Sequence, residues 1–210
     1  MKKSNLIYLF LISSLIFAAA SVIIFLVLSS VVITVSTLLQ KFLIDAELTE
    51  LKDYIVSLFN DISLLLLLTS FFSFISIIPI LFSLFTVRDE NKNNFIINNI
   101  IQVKGIVFLL AANITGIIVL IKWVSKKIEN INDICKGKNV FYKELVCNYI
   151  SPSLSEVIQI ILDTGKKFSI IGFSFLAFSL INYTVALIIL FIKLRGEKLR
   201  YERISLERNV

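Results

Sequence analysis

The stretch LIYLFLISSLIFAAASVIIFLVLSSVVITVSTLL, residues 6–39, runs for 34 residues without a charged side chain. A hydrocarbon core about 30 Å thick needs roughly 20 apolar residues at about 1.5 Å each, so this segment can cross a membrane as one helix. At about 51 Å, a helix of this length must tilt or project beyond the bilayer, and we expect projection. The stretch therefore predicts an integral membrane protein.

Three further apolar runs of sufficient length follow along the chain, at residues 62–87, 106–124 and 168–192. The composition agrees with this pattern, because 57% of the 210 residues are hydrophobic and the mean hydropathy is +0.90. Such values are too apolar for a soluble domain. We therefore predict an all-α fold, in the form of a membrane four-helix bundle.

The first span has a second interpretation, as a cleaved signal peptide. Lys2 and Lys3 precede the apolar run, and FAAAS at residues 17–21 offers small residues at Ala18 and Ala20. Cleavage after Ala20 would leave a mature chain that starts inside the membrane. We therefore expect the segment to be retained as span one.

Four spans place both chain ends on the same side of the membrane. The basic residues divide almost equally between the two sides of the membrane. On the side of the chain ends, however, they lie in short segments beside the spans. Lys and Arg in such segments are typical of the cytoplasmic side, so we expect both chain ends to be cytoplasmic. The only two cysteines, Cys135 and Cys147, lie in the long loop on the other side, where a disulfide between them could persist. The alternative is two unrelated reduced thiols.

The predicted layout is a cytoplasmic N-terminus and span one (1–39), small outer loop (40–61), span two (62–87), inner loop (88–105), span three (106–124), large outer loop (125–167), span four (168–192) and basic cytoplasmic tail (193–210).

The large outer loop carries helical periodicity at both ends, which predicts a small helical ectodomain between spans three and four. Ser153 and Glu156 form a capping-box pattern ahead of an apolar stripe. Two helices rising from the spans would bury their stripes against each other, although the second helix could instead lie flat on the lipid headgroups. The stripes consist of Val124, Ile128 and Ile131 in the first helix, and of Leu154, Val157, Ile158, Ile161 and Leu162 in the second.

Asn113 and Asn182 are the clearest strongly polar side chains deep in the spans. An unpaired amide is costly in lipid, so we expect a hydrogen bond between them that joins spans three and four. The functional alternative is a path for an ion or substrate.

We also expect Pro79 to bend span two. Small residues in the first two spans should permit close approach of the helices. These are Ser14, Ala18 and Ser21 in span one and Ser70, Ser73 and Ser76 in span two.

The order of spans and loops resembles that of tetraspanins. The most specific local matches are VRDENKN at residues 87–93, which resembles the inner loop of that family, and FLLAANITGIIVL at residues 108–120, which is similar to its third span. The Cys-Cys-Gly signature and the juxtamembrane cysteines of the family are missing. Claudin-like proteins, the nearest four-span alternative, place the longer loop first. In the basic tail, Tyr201 and Ile204 match a tyrosine-based sorting pattern that some tetraspanins carry.

The resemblance implies a non-enzymatic organiser that binds other membrane proteins laterally and through its large outer loop, in the plasma membrane or an endosomal membrane. The absence of His and of any Cys-x-x-Cys argues against a metal or cofactor site, so none is expected. The basic residues lie beside the spans, which favours contact with anionic inner-leaflet lipid over nucleic acid. A homo-oligomer is compatible with this prediction. The alternative function is a subunit of a small channel or transporter, with Asn113, Asn182 and Pro79 as its functional residues.

Overall fold

The computed structural model of the protein describes residues 3–45, 49–88, 95–125 and 151–207, all of which are helical. The four helices are α1 (Lys3–Asp45), α2 (Thr49–Arg88), α3 (Phe95–Ser125) and α4 (Ser151–Glu207). Each contains a segment long and apolar enough to cross a membrane: Asn5–Lys41, Phe59–Phe85, Ile101–Trp123 and Glu156–Lys193. For the described residues, the predicted all-α architecture with four helices long and apolar enough to cross a membrane is therefore confirmed.

The helices form a ring in which α1 packs against α2 and α4, and α3 packs against the same two helices. Neighbouring helices run antiparallel, as in other up-and-down bundles. We call the end of the bundle near the α1–α2 connection the loop end, and the opposite end, which carries residues 3–11 and the last turns of α4, the terminal end. An ion pair between Asp61 of α2 and Lys122 of α3, with Oδ2 and Nζ 3.8 Å apart, lies at the loop end.

The buried side chains of each helix recur at alternating spacings of three and four residues. We call each such row a seam. A repeat of this kind produces knobs-into-holes packing with a left-handed supercoil. The seam of α1 runs from Ile7 to Val32, that of α2 from Phe59 to Ser83, and that of α4 from Ile158 to Leu190. The seam of α3 consists of Gln102, Gly105, Leu109, Ala112, Gly116, Val119 and Trp123.

Two hydrophobic clusters fill the bundle, one at each end. The loop-end cluster includes Phe25, Phe59 and Trp123, and the terminal-end cluster includes Ile7 and Ile80. Small and hydroxyl-bearing side chains dominate the seams between them. Lipid tails are as apolar as leucine, so helix association in a membrane depends on close packing, which small residues permit. All six small residues singled out in the first two spans are buried: Ser14, Ala18, Ser21, Ser70, Ser73 and Ser76.

Three helices continue beyond the Asp61–Lys122 ion pair at the loop end. The last turns of α1, the first turns of α2 and the first turns of α4 each extend about 20 Å past it at 1.5 Å per residue. We call these turns the helical extension. Most of the expected small outer loop (40–61) is therefore helix. In the same way, α3 begins at Phe95, within the expected inner loop.

Helix α4 begins two residues before Ser153 and continues without interruption from the large outer loop through span four. Ile158 and Leu162 of its apolar stripe are buried in the loop-end cluster, whereas Val157 is exposed. This part of α4 therefore packs against the bundle as a continuation of span four. The partner stripe expected beyond Val124, together with Cys135 and Cys147, lies outside the described residues.

Candidate functional site

The polar side chains of the seams are concentrated between the two hydrophobic clusters. The closest pair joins α1 to α4, where the Ser14 hydroxyl donates to the Ser179 carbonyl and the Ser179 hydroxyl donates to the Ser14 carbonyl, both at 2.9 Å. The two hydroxyl oxygens are 3.0 Å apart. Both residues have no exposed surface. We call the buried polar residues of this region the central belt: Ser14, Ser21, Thr69, Ser70, Ser73, Ser76, Asn113 and Ser179.

The two asparagines predicted to pair have separate partners. The Asn113 amide donates to the Leu109 carbonyl of its own helix at 2.8 Å and to the Leu176 carbonyl of α4 at 3.4 Å. The Asn182 amide donates to the Ser13 hydroxyl of α1 at 3.0 Å. Since Leu176 and Asn182 are six residues apart, about 9 Å along the helix, the two amides are at different depths and do not hydrogen-bond to each other. The expected bond between Asn113 and Asn182 is therefore wrong, and the Leu176 carbonyl is instead the partner through which Asn113 joins spans three and four.

Most other hydroxyls of the central belt donate to carbonyls of their own helix. Ser21 bonds to Ala18 at 2.7 Å, and Ser73 bonds to Thr69 at 2.7 Å. A hydroxyl in lipid has no water to bond, so a carbonyl one turn earlier is the nearest acceptor. These hydroxyls therefore have acceptors within the bundle, and both serines have no exposed surface.

A second polar site lies toward the terminal end, where α2, α3 and α4 meet. The Tyr183 hydroxyl of α4 donates to the Gln102 carbonyl of α3 at 3.2 Å and lies 3.1 Å from the Ser83 hydroxyl of α2. The Ser83 hydroxyl donates to the Pro79 carbonyl at 2.8 Å. Gly105 completes the site, because a side chain there would overlap the Tyr183 ring and Pro79. We call these five residues the terminal junction.

The sequence reasoning missed Ser83, Gln102 and Tyr183 as site residues. The available signal was the position of Gln102 in the polar first turns of α3, three residues before Gly105. That signal does not reveal which residue of α4 is at the same depth. Pro79, which is expected to bend span two, lies within helix α2 and contacts the space beside Gly105.

At the loop end, Trp123 of α3 packs its ring against Gly165 of α4. The Trp123 indole nitrogen and the Ser169 hydroxyl, one turn deeper on α4, are buried and have no hydrogen-bond partner. Of the remaining predicted site residues, Cys135 and Cys147 lie outside the described residues. Tyr201 and Ile204 lie in the last turns of α4. Within the described residues, no three acidic or cysteine side chains gather as metal ligands would.

Likeness of fold alone does not establish a function. No protein-family model, no curated protein and no solved structure matches this chain.

Proposed function

We propose that the protein is a tetraspanin-like membrane organiser, which binds other membrane proteins laterally and through its large outer loop rather than transporting a solute or catalysing a reaction. In this proposal both chain ends are cytoplasmic, a Cys135–Cys147 disulfide closes the ectodomain, and the basic tail contacts anionic lipid. The membrane is the plasma membrane or an endosomal membrane. Tyr201 and Ile204 serve as a sorting motif, and homo-oligomers are compatible with this function.

The observation that carries the proposal is the closed central belt. A conduit through the bundle would need polar groups that face water or a solute. The belt serines instead bond to carbonyls or to each other and are at most 3% exposed. Asn113 and Asn182, the residues that a conduit would use, are both engaged in contacts with a neighbouring helix. These contacts favour a structural role for the interior.

The helical extension adds a second supporting feature. Ile158 and Leu162 of α4 share one buried cluster with Val32 of α1 and Phe59 of α2, so the turns beyond the Asp61–Lys122 ion pair pack together. A packed extension holds its outer surface in a fixed orientation. An organiser that binds partners on the loop side would use such a platform.

Site-specific photo-crosslinking in cells tests lateral binding. A benzophenone side chain would replace Phe74 on the outer face of α2 or Phe178 on the outer face of α4, which are 59% and 53% exposed. We expect adducts with the same few membrane proteins in repeated experiments. The matched control is Phe25, which has no exposed surface and should give none. Adducts with lipid alone at both outer positions would contradict the proposal.

Reconstitution in liposomes tests the opposing function. We expect no ion or solute flux above that of protein-free vesicles. Robust flux that is abolished by Asn113→Leu or Asn182→Leu would overturn the organiser function in favour of a channel or transporter subunit. Binding partners recovered in mild detergent should be the same for the wild type and for both variants.

A further inference from the structure

The uncharged part of α3 is much shorter than that of its two neighbours. The uncharged segments are residues 62–87 in α2, 168–192 in α4 and 105–121 in α3, which contain 26, 25 and 17 residues. At 1.5 Å per residue these segments are about 39, 38 and 26 Å long. The apolar surface of the bundle is therefore about 12 Å shorter along α3 than along α2 and α4.

This difference does not arise at the loop end, because the charged residues of the three helices are level there. Lys122 of α3 is paired with Asp61 of α2, with Nζ and Oδ2 3.8 Å apart. Gly165 of α4, two residues before Lys167, packs against the ring of Trp123. All three uncharged segments therefore start at nearly the same depth.

At the terminal end the three segments stop at different depths. A Cβ atom on Gly105 would lie 2.8 Å from the Cβ of Pro79 and 2.7 Å from the Tyr183 hydroxyl, so Lys104 is at the depth of both residues. Beyond this depth α2 continues uncharged to residue 87 and α4 to residue 192, over about 12 and 13 Å. Both continuations carry exposed large apolar side chains, namely Phe85, Ile188 and Ile192.

Lys104 therefore places a charge where the neighbouring helices still present apolar surface. Its side chain is exposed, and it forms no ion pair within the described part of the chain. A charge at such a depth is accommodated by extension of the side chain toward the headgroups or by local thinning of the bilayer. The four-carbon stem of lysine spans only about half of the 12 Å step. A lower membrane surface around the whole bundle would expose the apolar side chains of α2 and α4 to water, which is unfavourable.

We propose that the bilayer is locally thinned beside α3 at the terminal end, where Lys104 binds the phosphate of a lipid headgroup. The lysine ammonium is a compact charge with three donors, which suits a phosphate oxygen. Zwitterionic phospholipids carry this phosphate too, so an anionic lipid is not required. This arrangement is independent of the proposed function and of which side of the membrane is cytoplasmic.

Electron paramagnetic resonance of spin labels in phosphatidylcholine vesicles tests the thinning. Labels would be attached to Val103→Cys in α3 or Leu81→Cys in α2, with Cys135→Ser and Cys147→Ser as the background. Val103 and Leu81 are both exposed and lie at the same depth in the bundle. Oxygen is concentrated in hydrocarbon and a polar nickel chelate in water, so the ratio of their collision rates with the label reports its depth in the leaflet. We expect this ratio to be several-fold lower at Val103 than at Leu81, whereas equal ratios would overturn the proposal.

A second pair of labels at the loop end provides the matched control. Ile121 of α3 and Leu64 of α2 are exposed at similar depths, because the Asp61–Lys122 ion pair aligns the two helices there. We expect nearly equal ratios at these two positions. A difference as large as that between Val103 and Leu81 would mean that the whole of α3 is nearer to water, and would contradict thinning at the terminal end alone.

Two substitutions and a change of lipid identify the ligand. Lys104→Leu should raise the ratio at Val103 to that at Leu81, and Lys104→Arg should keep it low because the charge is retained. A low ratio in Lys104→Leu would overturn the role of Lys104. In vesicles of a galactolipid, which has no phosphate, and in phosphate-free buffer, the ratio at Val103 should rise without any substitution. A ratio that stays low in the galactolipid would overturn phosphate as the ligand.

Discussion

Three glycines of the seams each lie against an aromatic ring from a neighbouring helix. Gly105 faces Tyr183, Gly165 faces Trp123, and Gly172 faces Phe25. In each pair a side chain at the glycine would overlap the ring, so the glycine permits a close approach that no other residue could. Large and small side chains therefore alternate across the facing seams, as dense packing requires.

The Gly165–Trp123 contact predicts that adding a single methyl group at residue 165 lowers the stability of the bundle. Gly165→Ala should destabilise the bundle by about 1 to 3 kcal/mol, because the added Cβ overlaps a buried ring that has little room to move. Trp123 is the only tryptophan, so its fluorescence reports the unfolding transition in mixed micelles, from which the unfolding free energy is obtained.

Gly196 of α4 provides the matched control for Gly165→Ala. No atom lies within 4 Å of a Cβ placed there. Gly196→Ala should leave the emission of the folded protein unchanged and raise the unfolding free energy by up to about 1 kcal/mol through helix propensity. Equal effects of the two variants would show that the Trp123 contact does not limit the packing of α3 against α4.

At the scale of whole helices, the sequence predicts the spans well and their buried faces poorly. A soluble helix reveals its core by contrast with polar residues, but in lipid the outer face is as apolar as the interior. Leu9 and Ile23 of α1 are exposed, whereas Leu11 and Phe25 are buried. The sequence feature that does predict the buried face of α1 is the spacing of its small residues, because Ser14, Ala18 and Ser21 all lie in the seam and are buried.

The reciprocal Ser14–Ser179 contact predicts a measurable coupling between α1 and α4. In a double-mutant cycle of Ser14→Ala and Ser179→Ala, we expect a coupling of about 0.6 kcal/mol, the average for interhelical bonds in membranes. Thermodynamic stability in mixed micelles is the measurement. As a control, Ser174 bonds to the Ile170 carbonyl of its own helix, so Ser14→Ala and Ser174→Ala should be additive within about 0.5 kcal/mol. A coupling no larger than in the control cycle would contradict the contact.

The helical extension predicts opposite outcomes for two adjacent residues of α4. Ile158 is 1% exposed and Val157 is 47% exposed. Ile158→Ala should cost about 2 to 5 kcal/mol through the lost contacts and the resulting cavity. Val157→Ala should change the stability by no more than about 0.5 kcal/mol, as for most surface substitutions. Similar small effects for both would indicate that the first turns of α4 are not packed.

At the scale of the whole molecule, the number of spans followed from the sequence, but the depth of each residue relative to the other helices did not. Asn113 and Asn182 were expected to meet because each is the strongest polar group of its span. The alignment of α3 and α4 instead places Asn113 beside Leu176 and Gln102 beside Tyr183. Such alignment results from contacts along the entire helix pair, which no single span specifies.

The predicted topology is testable through the two cysteines, which lie between α3 and α4. If both chain ends are cytoplasmic, a membrane-impermeant thiol reagent applied outside intact cells, or to the lumen of isolated vesicles, should label Cys135 and Cys147 only after reduction of their disulfide. The same reagent applied from the cytosolic side should not label either cysteine. An engineered cysteine at Asn5 is the matched control and should show the reverse pattern. Labelling of Cys135 or Cys147 from the cytosol would invert the topology and remove the support for the tetraspanin-like function.

Helix α4 runs unbroken for 57 residues, from the helical extension through the membrane to the basic tail. At 1.5 Å per residue it is about 85 Å long, nearly three times the thickness of the hydrocarbon core. Its backbone hydrogen bonds resist stretching, so an axial displacement of its first turn would move its last turn by the same amount. A mechanical force along the axis at one end of α4 is therefore transmitted to the other end without any opening of the bundle.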